Sequence, residues 1–299
     1  MSELDRQLDT AVSAVGGVDL HLVAVAIAFQ LANLVLRSVA WRNVLRAAYP
    51  ARKVPLLGVG SAYAAGVAAN AVTPARGGEL VKLVLLRTLI PHSSIATIAG
   101  SSAVLAVFDG VLGMALLALA ASTGAVPGLS LVPPLPNMWW IAAALAVAVP
   151  VGVVVFYRAR PAIGRLRRQL LAGGAIFRTP RRYLTDVATV QLGAWVCRVG
   201  VVYALLCAFD LPASLWVAAL VVIVGGLATV VPATPGGLGT QQLLLVALLH
   251  GTVSAAEAIS FSLTLQLGAS AINVALGIAG AMLLVGTRSP VAAVRSLRQ

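Results

Sequence analysis

The chain has 299 residues, 60% of them hydrophobic and only 10% charged, with a net charge of +12. Soluble domains are about 25% charged, so a soluble globular protein is excluded and an all-α polytopic membrane protein is expected. Nucleic-acid binding is excluded by how the charge is distributed. No Lys or Arg lies between Arg87 and Arg158 or between Arg198 and Arg288, and the cations bunch in Arg37–Lys53, Lys82–Arg87, Arg158–Arg182 and Arg288–Arg298. That bunching is the positive-inside pattern of membrane proteins.

Taken in order, residues 1–18 are polar, with Leu4, Leu8, Val12 and Val15 at helical spacing, which predicts a short surface helix. No basic segment followed by an apolar core and cleavage site is present, so no signal peptide is expected. The first span runs from Leu20 to Leu36, near the minimum for a hydrocarbon core of roughly 30 Å. Arg37, Arg42, Arg46, Arg52 and Lys53 follow as a cytoplasmic loop, which puts the N-terminus outside.

Leu56–Val72 is rich in Gly, Ala and Ser. Small residues let helices approach closely, so this arm should pack in protein rather than face lipid. Thr73-Pro74 breaks it, and a return arm carrying Lys82 and Arg87 ends at Ile90, which predicts a hairpin entering from the cytoplasm. Ser93–Ser122 is a full span with Asp109 near its middle. Gly124–Asn137 is an external loop with four prolines. Ile141–Tyr157 returns after an interfacial Trp139-Trp140 pair, and Arg158–Arg182 carries eight arginines and no acid. Such a run is both a topology anchor and attractive to anionic lipid at about 1 kcal/mol per basic residue. Leu184–Phe209 spans outward with Arg198 at its centre. Leu215–Leu249 is a second broken hairpin, and Ala255–Val285 returns to a cytoplasmic C-terminus.

About five full spans and two broken hairpins result, in one domain covering residues 1–299. Residues 20–122 and 184–285 are matching repeats of opposite polarity, joined by span 139–157 and the basic segment 158–182. Interrupted segments in corresponding halves are the sequence mark of a transporter binding site.

Both breaks read Val, then Thr-Pro, then glycines. Thr73 and Thr234 suit helix N-caps, and Pro74 and Pro235 the first helical position, where a missing N–H costs nothing. The return arms then aim free N–H groups inward as an anion site, with Gly236, Gly237 and Gly239 allowing close backbone approach. Tight helix packing accounts for the same glycines. Arg76, Glu79 and Lys82 share one helix face. Arg76 is either Glu79's ion partner or a bidentate phosphate ligand. Arg198 needs a partner from elsewhere, either Asp109 or an anionic ligand. Asn70 and Gln242 are uncharged polar candidates, and Glu79 and Asp109 are candidates for a coupling proton. Cys197 and Cys207 read as buried small hydrophobes. No catalytic, cofactor or metal motif is present, so neither an enzyme nor a cofactor is expected.

Three stretches carry a family resemblance. They are Arg37-Ser38-Val39-Ala40-Trp41-Arg42, then Asn70 with Pro74, Gly78 and Glu79, and then Pro232 with Pro235-Gly236-Gly237-Leu238-Gly239. Over about Leu20–Val285 the chain resembles the flippase-like transmembrane domain of lysylphosphatidylglycerol synthetases. The resemblance implies translocation of an anionic or aminoacylated phospholipid in a bacterial inner membrane, with a separate lipid-modifying enzyme as a partner. A polyprenyl-phosphate carrier as substrate and a non-transporting lipid-binding role are the alternatives. Family members usually begin with a further apolar span, which is not expected here, and the domain also occurs as a stand-alone integral membrane protein without the soluble synthetase domain, as is expected of this chain. The family pattern also has a Glu and an Arg where this chain has Gln242 and Gln266. Loss of both charges together predicts that the two glutamines touch, a neutral contact replacing an ion pair.

Overall fold

A computed structural model describes residues 19–72, 77–122, 161–210, 213–228 and 255–285, together with Gln242, Leu245 and Val246. The described residues are helical, without strands. Among the described residues, four helices are long and apolar enough to cross a membrane, so the protein is multi-pass. The expected N-terminal surface helix, the external loop, the Ile141–Tyr157 span and both Thr-Pro breaks lie outside the described residues.

Helix α1 spans Leu20–Ala48, with Asp19 as its N-cap accepting the His21 N–H at 2.8 Å. This corrects the sequence reading, which ended the helix at Leu36 and opened a loop at Arg37. The helix continues because a second apolar stripe follows the arginine. Ala40, Trp41, Val44 and Leu45 are all buried, and burial of such a stripe holds a helix through a few charged positions. Arg42 turns its Nε–H to the Val54 carbonyl at 2.9 Å, so this cation closes the turn into the next element.

Helices α2 (Leu56–Val72) and α3 (Gly77–Leu89) are the two arms of the first hairpin. Their approach depends on missing side chains. A Cβ added to Gly78 would fall on the Gly66 carbonyl and lie 2.7 Å from the Asn70 amide nitrogen. Helix α8 (Ala255–Val285) packs along the other side of α2. A Cβ on Gly277 would fall on that of Ala68, and one on Gly280 would lie 3.2 Å from that of Ala64. Ser61, Ala62, Ala64 and Ala65 are accordingly buried. As expected from its composition, α2 is enclosed by protein. Close backbone approach is how membrane helices gain packing energy where no hydrophobic drive separates helix from lipid.

Helix α4 covers Ile95–Ser122 and α5 covers Pro161–Gly173. A single-turn 3-10 segment, Ala175–Arg178, leads into α6, Pro180–Ala208. A π-type turn at Leu184–Ala188 interrupts α6 near its start. Such a turn displaces backbone carbonyls from the regular ladder, and Asn43 of α1 donates to the Asp186 carbonyl at 2.8 Å. Helix α7 covers Leu215–Ala228, the first arm of the second hairpin expected from sequence. Cys197 and Cys207 are free and partly buried.

Two apolar cores form, and α1 runs through both. One gathers Trp41, Leu45, Val59, Leu86, Ile98 and Val187, from α1–α4 and α6. The other gathers Ala26, Trp195, Leu206, Val221 and Phe261, from α1, α6, α7 and α8, together with Leu245. Helices α1 and α6 pack against each other extensively, and the stretch of α1 between the cores carries Arg37.

Candidate functional site

Arg37 is placed by helical spacing. Asn33, Arg37, Trp41 and Leu45 lie four residues apart and share one stripe of α1, and Asn33, Trp41 and Leu45 are buried. The guanidinium is therefore carried into the bundle. Its Nη2 lies 2.7 Å from Asp109 Oδ2 of α4, with the two side chains only 13% and 25% exposed. The other carboxylate oxygen, Asp109 Oδ1, accepts the Trp195 Nε1–H of α6 at 2.9 Å. Arg37 Nη1 also donates to the Tyr63 hydroxyl of α2, at 3.5 Å. In a medium of low dielectric an isolated charge is costly, and a paired, fully hydrogen-bonded one persists. Asp109 thus joins α4 to α1 and α6 through two donors, and Arg37 extends the cluster to Tyr63 of α2.

This corrects the sequence reading in two respects. Arg37 is a helix residue and not a loop cation, and of the two partners open to Arg198, Asp109 or an anionic ligand, Asp109 is engaged elsewhere. Both carboxylate oxygens are occupied by Arg37 and Trp195, because Arg37 comes from the helix that packs between α4 and α6. The Arg198 guanidinium lies over the Trp195 ring, 6.0 Å from its centroid, a distance that permits cation–π attraction. Arg198 therefore adjoins the Asp109 cluster through an aromatic ring.

Tyr63 links this cluster to a second one. The Lys82 ammonium of α3 stands 5.6 Å from the Tyr63 ring centroid and 5.3 Å from that of Trp41. Trp41 and Tyr63 meet edge to face at 6.2 Å. The indole of Trp41 is fixed by donating to Ser101 Oγ at 3.0 Å. Glu79 closes the series, bonding Lys82 Nζ at 2.5 Å from one turn earlier. Lys82 is buried, whereas the Glu79 side chain is 42% exposed. Charge and aromatic surface thus run continuously from Glu79 through Lys82, Tyr63, Arg37 and Asp109 to Trp195 and Arg198, across five helices.

Asn70 has a defined task at the first break. Its Oδ1 accepts the Gly78 N–H at 2.9 Å, satisfying one of the free donors at the start of the return arm. The side chain proposed from sequence as a polar contact for ligand thus caps α3. Gln242 Nε2 donates to Gln266 Oε1 of α8 at 2.9 Å. The two glutamines meet, as their joint departure from the family pattern predicted. Another amide pair, Gln30 Nε2 to Asn273 Oδ1 at 2.7 Å, ties α1 to α8. Thr73, Arg76, Thr234, Gly236, Gly237 and Gly239 lie outside the described residues.

Sequence reasoning missed the roles of Arg37, Trp41, Tyr63 and Trp195. Arg37 was legible in principle from its four-residue spacing to Asn33 and Trp41. Tyr63 and Trp195 carried no local signal, since an aromatic residue in an apolar helix is ordinarily packing.

Helices that cross the membrane, carrying paired charge inside their bundle, define an all-α, multi-pass integral membrane protein. The sequence profile of the lysylphosphatidylglycerol synthase TM region matches residues 2–277, and the chain belongs to that family. Membership connects the protein with membrane lipid. No curated protein matches the chain.

Proposed function

We propose that the protein translocates an anionic or aminoacylated phospholipid between leaflets, binding the headgroup along the charged series without covalent chemistry. The observation that carries this reading is the Arg37–Asp109 pair at 2.7 Å inside the helical bundle. A scaffold has no need of charge there, because an apolar replacement of a buried ion pair is often as stable or more so. A headgroup crossing the membrane does need it. A phosphate can take a guanidinium in the same bidentate fashion as a carboxylate, so it exchanges with Asp109 on Arg37, while the carboxylate keeps its bond from the Trp195 Nε1–H. Arg198 and Arg76 are the further cations in this reading, and Glu79 suits the ammonium of an aminoacyl group. Helix starts at Thr73 and Thr234 and the glycines Gly236, Gly237 and Gly239 supply backbone donors.

The packing of α1 along α6 is consistent with an inverted repeat, because these helices open the two halves and would flank a shared axis. In that arrangement the hairpins approach the headgroup path from opposite sides. In this reading the basic segments face the cytoplasm, the C-terminus with them, and the membrane is a bacterial inner membrane.

The test is a proteoliposome assay with head- or chain-labelled phosphatidylglycerol, its aminoacylated form and phosphatidylcholine, scored by access of a membrane-impermeant quencher. Protein-dependent movement of the first two, reduced by Arg37→Gln and Arg198→Gln, is expected. Absence of movement for all three in folded protein would reject translocation and favour a lipid-binding partner of a separate enzyme.

A further inference from the structure

Helix α5 is held at the mouth of a membrane span by one of its faces. Gly173 packs so closely on the backbone of Thr97 and Ser101 that an added Cβ would meet it, and Gly100 packs likewise on the Leu170 carbonyl. Ser94 Oγ bonds Gln169 Oε1 at 2.8 Å. These contacts fix α5 against the first two turns of α4, where the apolar segment Ile95–Leu116 begins, and so place it at the boundary of the hydrocarbon layer.

Residues outside these contacts are exposed, and their chemistry is mixed in a particular way. Leu171 is 60% exposed and lies three residues beyond the exposed Arg168. Phe177 is 47% exposed and is followed by exposed Arg178, Arg181 and Arg182. No acid occurs between Asp109 and Asp186, and Asp186 approaches Arg182 only at 3.7 Å, with both side chains largely solvated. Apolar side chains exposed beside cations, at a membrane boundary, are the features of a segment seated in the headgroup layer. A soluble acidic partner would match the arginines, but not the large apolar side chains alternating with them.

From this we infer that Pro161–Leu184 is a docking surface for anionic lipid headgroups. Arg168, Arg178, Arg181 and Arg182 meet the phosphates, while Leu171 and Phe177 enter the acyl boundary. The surface enriches acidic lipid beside α4 and the first hairpin. It does not depend on whether the protein moves lipid.

The experiment is hydrogen–deuterium exchange on the full chain in nanodiscs of phosphatidylcholine alone or mixed with phosphatidylglycerol. Each arginine near an anionic surface is worth about 1 kcal/mol, or roughly fivefold in local lipid enrichment. Amides of residues 161–184 should therefore exchange at least about tenfold more slowly in the mixed discs. Raising the salt should remove the difference in the unaltered chain, because the attraction is screened. The variant carrying Arg168→Gln, Arg178→Gln, Arg181→Gln and Arg182→Gln should show equal exchange in both lipids, with exchange in Thr189–Ala208 unchanged as the check on folding. Equal exchange of the unaltered chain in both lipids would overturn the inference. So would protection reproduced in phosphatidylcholine discs by soluble glycerol phosphate, which would make the surface a site for free phosphate.

Discussion

Arg37 and Asp109, seventy-two residues apart in sequence, meet at 2.7 Å inside the bundle and bring α1 and α4 together through charge. Trp195 completes the carboxylate's shell from α6, and Tyr63 shares the guanidinium from α2. The pair is therefore both a structural joint and, in the translocation reading, the place where an anionic headgroup exchanges.

Removing one partner strands the other. Arg37→Ala and Asp109→Ala should each destabilise by about 3–5 kcal/mol. The double variant Arg37→Met with Asp109→Leu should recover most of that stability and none of the transport. Thermal unfolding in detergent beside the proteoliposome assay checks this. Additive losses of stability in the double variant would show that the two residues are not energetically coupled.

Gly78→Ala should be among the most damaging small substitutions, because its Cβ would fall on the Gly66 carbonyl and drive the hairpin arms apart. The expected cost is at least about 1–3 kcal/mol. Gly110→Ala in α4 meets nothing within 4 Å and should be neutral or stabilising by about 0.4–1 kcal/mol. Unfolding temperatures of the two variants give the comparison directly.

Asn70 separates a cap from a ligand contact. Asn70→Asp keeps the oxygen that accepts the Gly78 N–H and should keep most stability, whereas Asn70→Ala should lose about 0.5–2 kcal/mol. Headgroup affinity that falls equally in both variants, with stability intact in Asn70→Asp, would assign the amide to ligand instead.

Gln242 and Gln266 form a neutral bridge between the second hairpin and α8. Gln242→Glu alone, or Gln266→Arg alone, introduces an unpaired charge where burial makes it expensive. The two together should restore expression and melting temperature toward those of the unaltered chain. If the double variant is as poor as the worse single one, the side chains do not function as a pair.

Much of the architecture was already legible along the chain. The Ala255–Val285 helix, the arm Leu56–Val72 and its burial, and the return arm through Lys82 followed from apolar length and small-residue content, which are local properties. The Gln242–Gln266 contact was legible for a different reason: two departures from one pattern are simplest when they compensate each other. The continuation of α1 past Leu36 was less visible, because five nearby cations resemble a loop until the buried stripe beneath them is followed.

What composition and order determined by themselves is that this chain is a multi-pass helical protein with its cations bunched in a few segments and charge retained within its spans. They could not determine which charges pair. The sequence offers Asp109 only to Arg198, and the packing of α1 between α4 and α6 gives it Arg37 instead and sets Arg198 against Trp195. Charge pairing in a membrane is decided by which helices touch. That choice rests on the glycine and alanine surfaces that let backbones approach, far along the chain from the residues they bring together.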